Sequence, residues 1–171
     1  MERIITIDLK DYDETMQRVR RPSVRAVIIR GSKVAMVYSL KYDYYKFPGG
    51  GIEKNESHIQ TLMREVSEET GLSIIPESVT ELGSVLRVQR SRTNSNEIFE
   101  QENYYYTCNV SDSVATQSLD EYESEEGFRL EFVQPEKAIE INRTHEHSDY
   151  DAMLIEREAL VLEYLLDKRI L

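Results

Sequence analysis

The sequence predicts a mixed α/β fold, and three observations predict it. Apolar runs at 24–30 and 33–40 flank Gly31-Ser32, which is a hairpin signal. Ile59, Leu62, Met63 and Val66 recur at helical spacing, as do Ile155, Ala159, Leu162, Leu165 and Leu166. The helical segments do not alternate regularly with the strands. Periodicity alone therefore leaves both an α+β fold and an α/β sandwich open.

The 171 residues suit a single domain, 1–171, and an apolar content of 40% supplies one sizeable core. Residues 3–8 alternate weakly, as an edge strand does, and 1–22 read as this strand plus a polar lead-in ended by Pro22. Tyr44, Tyr45 and Phe47 approach the run Pro48-Gly49-Gly50-Gly51. Ser57 and Gln60 form a capping-box pattern, and Gly71 stands where a helix stops. Residues 82–89 and 103–110 read as strands joined by a polar loop at 91–102. The stretch 111–127 is polar and acidic and reads as a surface loop. A strand is expected at 128–133. Pro135 suits the first turn of a short helix reaching Ile141, and 149–168 is strongly helical.

A net charge of −11 repels a nucleic-acid backbone, so no nucleic-acid polymer is expected as a partner. A small phosphorylated ligand would be repelled too, unless cations held by clustered carboxylates reverse the local sign. No apolar stretch approaches the ~20 residues of a membrane span, and no membrane partner is expected. Residues 1–10 hold no long apolar run and no small-residue cleavage site, so no signal peptide is expected either. Cys108 is the only cysteine, which excludes an intrachain disulfide and suits a reducing cytoplasm.

Spacing says more than composition. Residues 50–72 read GGIEKNESHIQTLMREVSEETGL. Glu65, Glu68 and Glu69 stand at i, i+3 and i+4, so they neighbour one another on a helix. Each like-charge pair costs roughly a few tenths of a kcal/mol without cations. Hard divalent cations offset that cost, because they take oxygen ligands, and Mg²⁺ takes a few carboxylates plus substrate phosphate. A solvated acidic face explains a bare Glu-x-x-Glu-Glu; it does not explain the fixed residues around it. The glycine run permits positive φ and close backbone approach, as a loop beside a polyphosphate requires.

Gly50, Glu56, Arg64-Glu65, Val66, Glu68-Glu69, Gly71 and Leu72 together resemble the Nudix box at every defining position, and the chain looks like a MutT-like Nudix hydrolase. The strand–strand–glycine run before the box and the strand after it extend the resemblance in layout over about 24–140. The resemblance implies an α/β/α sandwich with a mixed sheet, a metal-binding loop–helix–loop and a C-terminal helix. It implies Mg²⁺ or Mn²⁺ as cofactor, with Glu65, Glu68 and Glu69 as ligands and Glu131 as an auxiliary ligand or base. Arg64 and Glu56 complete the catalytic set by holding the loop–helix–loop in shape, and Glu65 or Glu68 takes the proton of the attacking water. The implied reaction is hydrolysis of a phosphoanhydride in a nucleoside diphosphate linked to another group, or in a nucleoside triphosphate. The implied partner is a small nucleotide-type substrate, and a homodimer is in keeping with the family.

Gly49, Gly50, Arg25, Lys46 and Tyr45 are the candidate substrate contacts, with Tyr44, Arg87 and Arg90 beside them. The alternative function is a catalytically inactive nucleotide-sensing module. Such modules lose box glutamates, and none is lost here. His145-Glu146-His147 is too short for a zinc site and reads as a polar loop, and Cys108 reads as an inert buried thiol.

Overall fold

The computed structural model describes residues 1–148 and 150–171, and of 112–114 only the backbone. In chain order the elements are β1 (Arg3–Asp8), β2 (Gln17–Arg20), β3 (Ser23–Val27), β4 (Ile29–Arg30), β5 (Lys33–Ser39), β6 (Tyr44–Lys46) and α1 (His58–Thr70). They continue with β7 (Leu72–Ile74), β8 (Thr80–Arg90), β9 (Glu97–Thr107), β10 (Val110–Val114), α2 (Glu121–Glu126), β11 (Phe128–Val133), α3 (Pro135–Thr144) and α4 (Ala152–Asp167).

One sheet has the order β1-β8-β9-β2, and β3 follows β2 along the same edge of β9. The other has the order β11-β5-β4, with β6 also on β5. Parallel and antiparallel pairs occur in the first sheet, so it is mixed. The strands alternate between two apolar clusters. Val24, Ala26, Ile28 and Ala35 meet Leu62 and Val66 of α1 in one cluster. Val27, Val34, Met36 and Val85 meet Ala138 and Ile141 of α3 and Val161, Leu162 and Leu165 of α4 in the other. Both sheets contribute to both clusters, so they form one central layer with α1 on one side and α3 and α4 on the other. This is the α/β/α sandwich. Every residue of β3 is buried because both its faces are covered.

The expected elements hold in part. Ser57 caps α1 with Gln60 in a capping box, and Gly71 closes it in the left-handed conformation with φ 71°. The run at 24–30 divides at Ile28: β3 joins the first sheet, and only β4 makes the hairpin with β5. The loop expected at 91–102 shrinks, because β9 begins at Glu97. Two of its acids are paired across strands, Glu100 with Arg18 and Arg20 and Glu102 with Arg3, so a polar sequence forms a strand. The acidic stretch 111–127 contains the end of β10 and the whole of α2. Helix α4 begins at Ala152, and Asp149 lies outside the described residues.

The free edge of β6 is closed by side chains rather than by a strand. Asn142 of α3 accepts from the Tyr45 N–H at 2.8 Å and donates to the Tyr45 carbonyl at 2.9 Å. Glu158 of α4 accepts from the Phe47 N–H at 3.1 Å. Buried backbone groups need such partners.

Candidate active site

The run after β6 lies against β3 as an extra strand would. Val24 N–H donates to the Gly50 carbonyl, Ala26 N–H to that of Pro48, and Ile52 N–H to that of Pro22. Gly49 has φ 134°, and a Cβ there would collide with the Val24 carbonyl oxygen. A Cβ on Gly50 would collide with the Glu65 carboxylate. Gly49 therefore requires glycine for both conformation and backbone contact, whereas a side chain at Gly50 would displace the Glu65 carboxylate.

This loop brings α1 to a cleft of about 430 Å³, lined by Gly50, Gly51, Glu65 and Glu68 on one side. Arg20 and Arg21 stand at its rim, and Asp120, Tyr122 and Glu123 line it opposite. Arg64 organises the glutamates. Its guanidinium forks onto Glu56 at 2.8 and 2.9 Å, and its third nitrogen reaches Glu65 at 2.7 Å and Glu68 at 3.1 Å. Thr61 adds a hydrogen bond to Glu56 at 2.7 Å. These partners lower the Glu56 pKa to about 2, the Arg64 contact foremost. Burial raises the Glu65 pKa, with Arg64 opposing it. Arg64 and Glu56 are thus joined by a two-pronged contact that ties the start of α1 to its middle.

Glu69 is placed differently from its two neighbours. It is fully buried, forms an ion pair with Lys46, and accepts from the Gly49 N–H at 2.8 Å. Burial pushes its carboxyl up to about 7, with Lys46 and Arg25 opposing. It ties the glycine loop to the helix instead of opening on the cleft. Among the described residues, no three acidic, histidine or cysteine side chains stand together ready to hold a metal ion. The cleft nonetheless carries the carboxylates of Glu53, Glu65, Glu68, Asp120 and Glu123, and hard divalent cations prefer such oxygen donors.

Glu131 does not join the box glutamates. Its neighbours Leu130 and Phe132 pack towards α1, so strand alternation turns Glu131 to the other face. There it accepts from the Tyr45 hydroxyl at 2.7 Å and pairs with Arg129 at 2.7 Å. The candidate substrate contacts also separate. Gly50 lines the cleft, whereas Arg25, Tyr45 and Lys46 are buried within the central layer. Arg25 braces the loop by donating to the carbonyls of Phe47 and Gly49. Tyr44 is buried too, on Tyr150 and Glu126. Arg87 lines a second cavity, and Arg90 is exposed at the end of β8.

Asp120, Glu123, Arg20 and Arg21 were not singled out from sequence. The spacing of Asp120 and Glu123 is itself a capping-box signal before Gly127, and they do cap α2. The segment that carries them docks on the end of α1. Ala115 N–H donates to the Gly71 carbonyl at 2.8 Å, Ser118 N–H to that of Glu68 at 2.8 Å, and the Gln117 amide to that of Glu69. These bonds satisfy carbonyls that a helix end leaves without intrahelical partners.

A central sheet layer between helices, with a glycine loop and a glutamate-bearing helix at one cleft, is the architecture of a Nudix-type domain. A model of the NUDIX domain matches residues 19–154, and the chain belongs to that family. The fold is similar to a NUDIX hydrolase from Nitrosomonas europaea, with TM-score 0.60 and 19% identity over 85% of this chain and 89% of that one. It is also similar to a MutT protein from Bacillus halodurans, with TM-score 0.55 and 18% identity over 80% of each chain. A 65-residue stretch is 37% identical to an RNA pyrophosphohydrolase of Stenotrophomonas maltophilia, over 37% of this chain and 31% of that protein. The same share of this chain is 37% identical to an RNA pyrophosphohydrolase of Xylella fastidiosa, over 33% of its length. The chain thus spans about a third of the length of these curated relatives. Among the described residues no helix is long and apolar enough to cross a membrane.

Proposed function

We propose that this chain is a Nudix pyrophosphohydrolase that cleaves a phosphoanhydride in a nucleoside diphosphate linked to another group, or in a nucleoside triphosphate. The observation that carries this reading is the cleft in which Glu65 and Glu68, held by Arg64, face Gly50 and Gly51 across from Asp120 and Glu123. Glu65 and Glu68 would hold Mg²⁺ or Mn²⁺, which when bound offsets phosphate charge and lowers the pKa of the attacking water. Glu65 or Glu68 accepts the proton of that water. Gly50 and Gly51 let the phosphates approach the backbone, and Arg20 and Arg21 meet their charge at the rim. The water oxygen bonds to one phosphorus, the bridging P–O bond breaks, and the electron pair leaves with the other phosphate. Glu69 serves here by fixing the loop through Lys46 and Gly49. The free, buried thiol of Cys108 is in keeping with a cytoplasmic setting.

A second reading is favoured by the partial identity to RNA pyrophosphohydrolases: the anhydride at a triphosphorylated RNA 5′ end. The strongly acidic chain opposes a long polyanion. One panel separates the two readings. Nucleoside triphosphates, nucleoside diphosphates linked to sugars, and a 5′-triphosphorylated RNA oligomer are offered with Mg²⁺ or Mn²⁺, and the products are resolved. Turnover of the small compounds is expected. Turnover of the RNA alone selects the second reading, and none with either metal turns the chain into a nucleotide sensor. Either metal at millimolar concentration should also raise Tm, because ligands of the native state stabilise it. An unchanged Tm would count against the ligand assignment.

A further inference from the structure

The glycine loop is held at both ends by one buried network. At its start, Phe47 N–H donates to Glu158 of α4 at 3.1 Å. Glu158 accepts two hydrogen bonds from Arg157, one of them from Nε at 3.0 Å. Arg157 in turn donates to Asn103 of β9 at 2.6 Å and to Gln101 at 3.2 Å. The Asn103 side-chain oxygen also accepts from the Ser23 hydroxyl at 2.7 Å. Ser23 opens β3 and pairs with Gly51. It precedes Val24, whose N–H donates to the Gly50 carbonyl at 3.0 Å. The path therefore returns to the loop that it left and closes a ring. Ser23, Asn103, Arg157 and Glu158 are all fully buried.

Closing a sheet edge does not require charge. Asn142 does so at Tyr45 with a neutral amide, which meets both the N–H and the carbonyl. A buried ion pair carries a desolvation penalty that a neutral pair avoids, so edge closure alone does not account for one at Phe47. A carboxylate holds an N–H more strongly than a neutral acceptor does, and a guanidinium fork fixes the direction of that carboxylate. We propose that Arg157 and Glu158 are positioning residues for the reaction: through Phe47 and Gly50 they fix where the glycine loop meets the Glu65 carboxylate. Gly50 lies so close to Glu65 that a Cβ would collide with it, so drift of the loop passes directly to that carboxylate. Neither Arg157 nor Glu158 lines the cleft, and both act from the far side of the sheet layer. The inference rests on the cleft being the hydrolytic site.

The test replaces the ion pair by an apolar pair of similar volume, Arg157→Met with Glu158→Leu, in the full chain. Folds often tolerate that exchange without loss of stability. Amide hydrogen exchange then reads the loop. Gly49 N–H and Val24 N–H are the reporters, because their own acceptors, Glu69 and the Gly50 carbonyl, are untouched. Both should exchange about tenfold faster while amides inside α1 keep their rates. Arg157→Met with Glu158→Gln returns an uncharged acceptor to Phe47 N–H and should recover part of the protection. On whichever anhydride the chain hydrolyses, kcat should fall about tenfold and recover in the same order, because small misplacements of reacting groups are costly. Arg157→Lys covers the case in which the apolar pair does not fold. It keeps the charge pair and loses the fork onto β9, and the reporters should quicken by about threefold. Unchanged reporters in folded protein overturn the proposal. So does a rise shared equally by α1, which makes the pair a general stabiliser, and so does a loosened loop with unchanged kcat. Hydrogen exchange needs neither metal nor turnover. Absence of hydrolysis in the parent chain would therefore strike the proposed reaction and leave the loop clamp to be judged by its reporters.

Discussion

Helices α1 and α4 lie on opposite sides of the sheet layer, and each carries the dipeptide Arg-Glu. On α1 it is Arg64-Glu65, with side chains 28% and 14% exposed. On α4 it is Arg157-Glu158, and both side chains are fully buried. Arg64 spreads its donors over three glutamates at a cleft. Arg157 spends its donors on Glu158, Asn103 and Gln101, and Glu158 closes the edge beside Phe47. The same two residues organise a solvent-facing site in one place and plug a sheet edge in the other. Surroundings decide the role, and the dipeptide does not.

Breaking one partner should separate the two regions. Arg157→Ala or Glu158→Ala leaves an uncompensated buried charge, which costs about 3–5 kcal/mol, a large part of a stability of about 5–15 kcal/mol. Urea denaturation reads it, and a loss under about 1 kcal/mol would mean that the pair is not buried as described. At the cleft, Glu68→Gln should lower kcat by about 10²–10⁴-fold while leaving stability within about 0.5 kcal/mol. Glu69→Gln should lower both activity and stability, because it breaks the buried contact to Lys46. Equal melting of the two variants would remove the distinction drawn between these glutamates.

Acid gives a subtler contrast. The folded Glu56 carboxyl, at about 2, titrates below its usual value near 4.5. Its contribution is therefore present above about pH 4.5 and is lost as pH falls towards 2. Glu56→Gln should flatten that part of the stability curve, and an unchanged acid limb would argue that the Arg64 fork is absent in solution. The smallest effect is expected at Arg143, which pairs with Glu156 and Glu163 at the surface. Arg143→Ala should cost less than about 1 kcal/mol, measured by the same denaturation.

The box helix was legible because its signals are local: a cap, an apolar face, a stop and a fixed spacing of acids. The sandwich was legible through the resemblance that those residues carry. The opposite wall of the cleft was not, because Asp120 and Glu123 reach it only when 115–118 docks on α1. Glu131 shows a different limit. Both sheet faces are covered, so Leu130-Glu131-Phe132 does not announce which face meets the box helix. Lys46 and Arg25 read as phosphate contacts because cations are usually exposed. Here Lys46 balances a buried carboxylate, and Arg25 holds a loop through its carbonyls. In α4, helical periodicity marked the apolar face without showing that Arg157 and Glu158 lie within the packed layer.

The docking of 115–118 on the last turn of α1 also governs how this region can diverge. The segment is fastened at one end by β10, at the other by α2 and β11, and midway by bonds from Ala115, Gln117 and Ser118. Those bonds use backbone groups and one amide, so most side chains in the stretch are free to change. Its length is not. One residue inserted between Ala115 and Ser118 would throw the fastenings out of phase and draw Asp120 and Glu123 away from the cleft. Descendants of this gene should therefore vary Thr116 readily while keeping the residue count of this stretch.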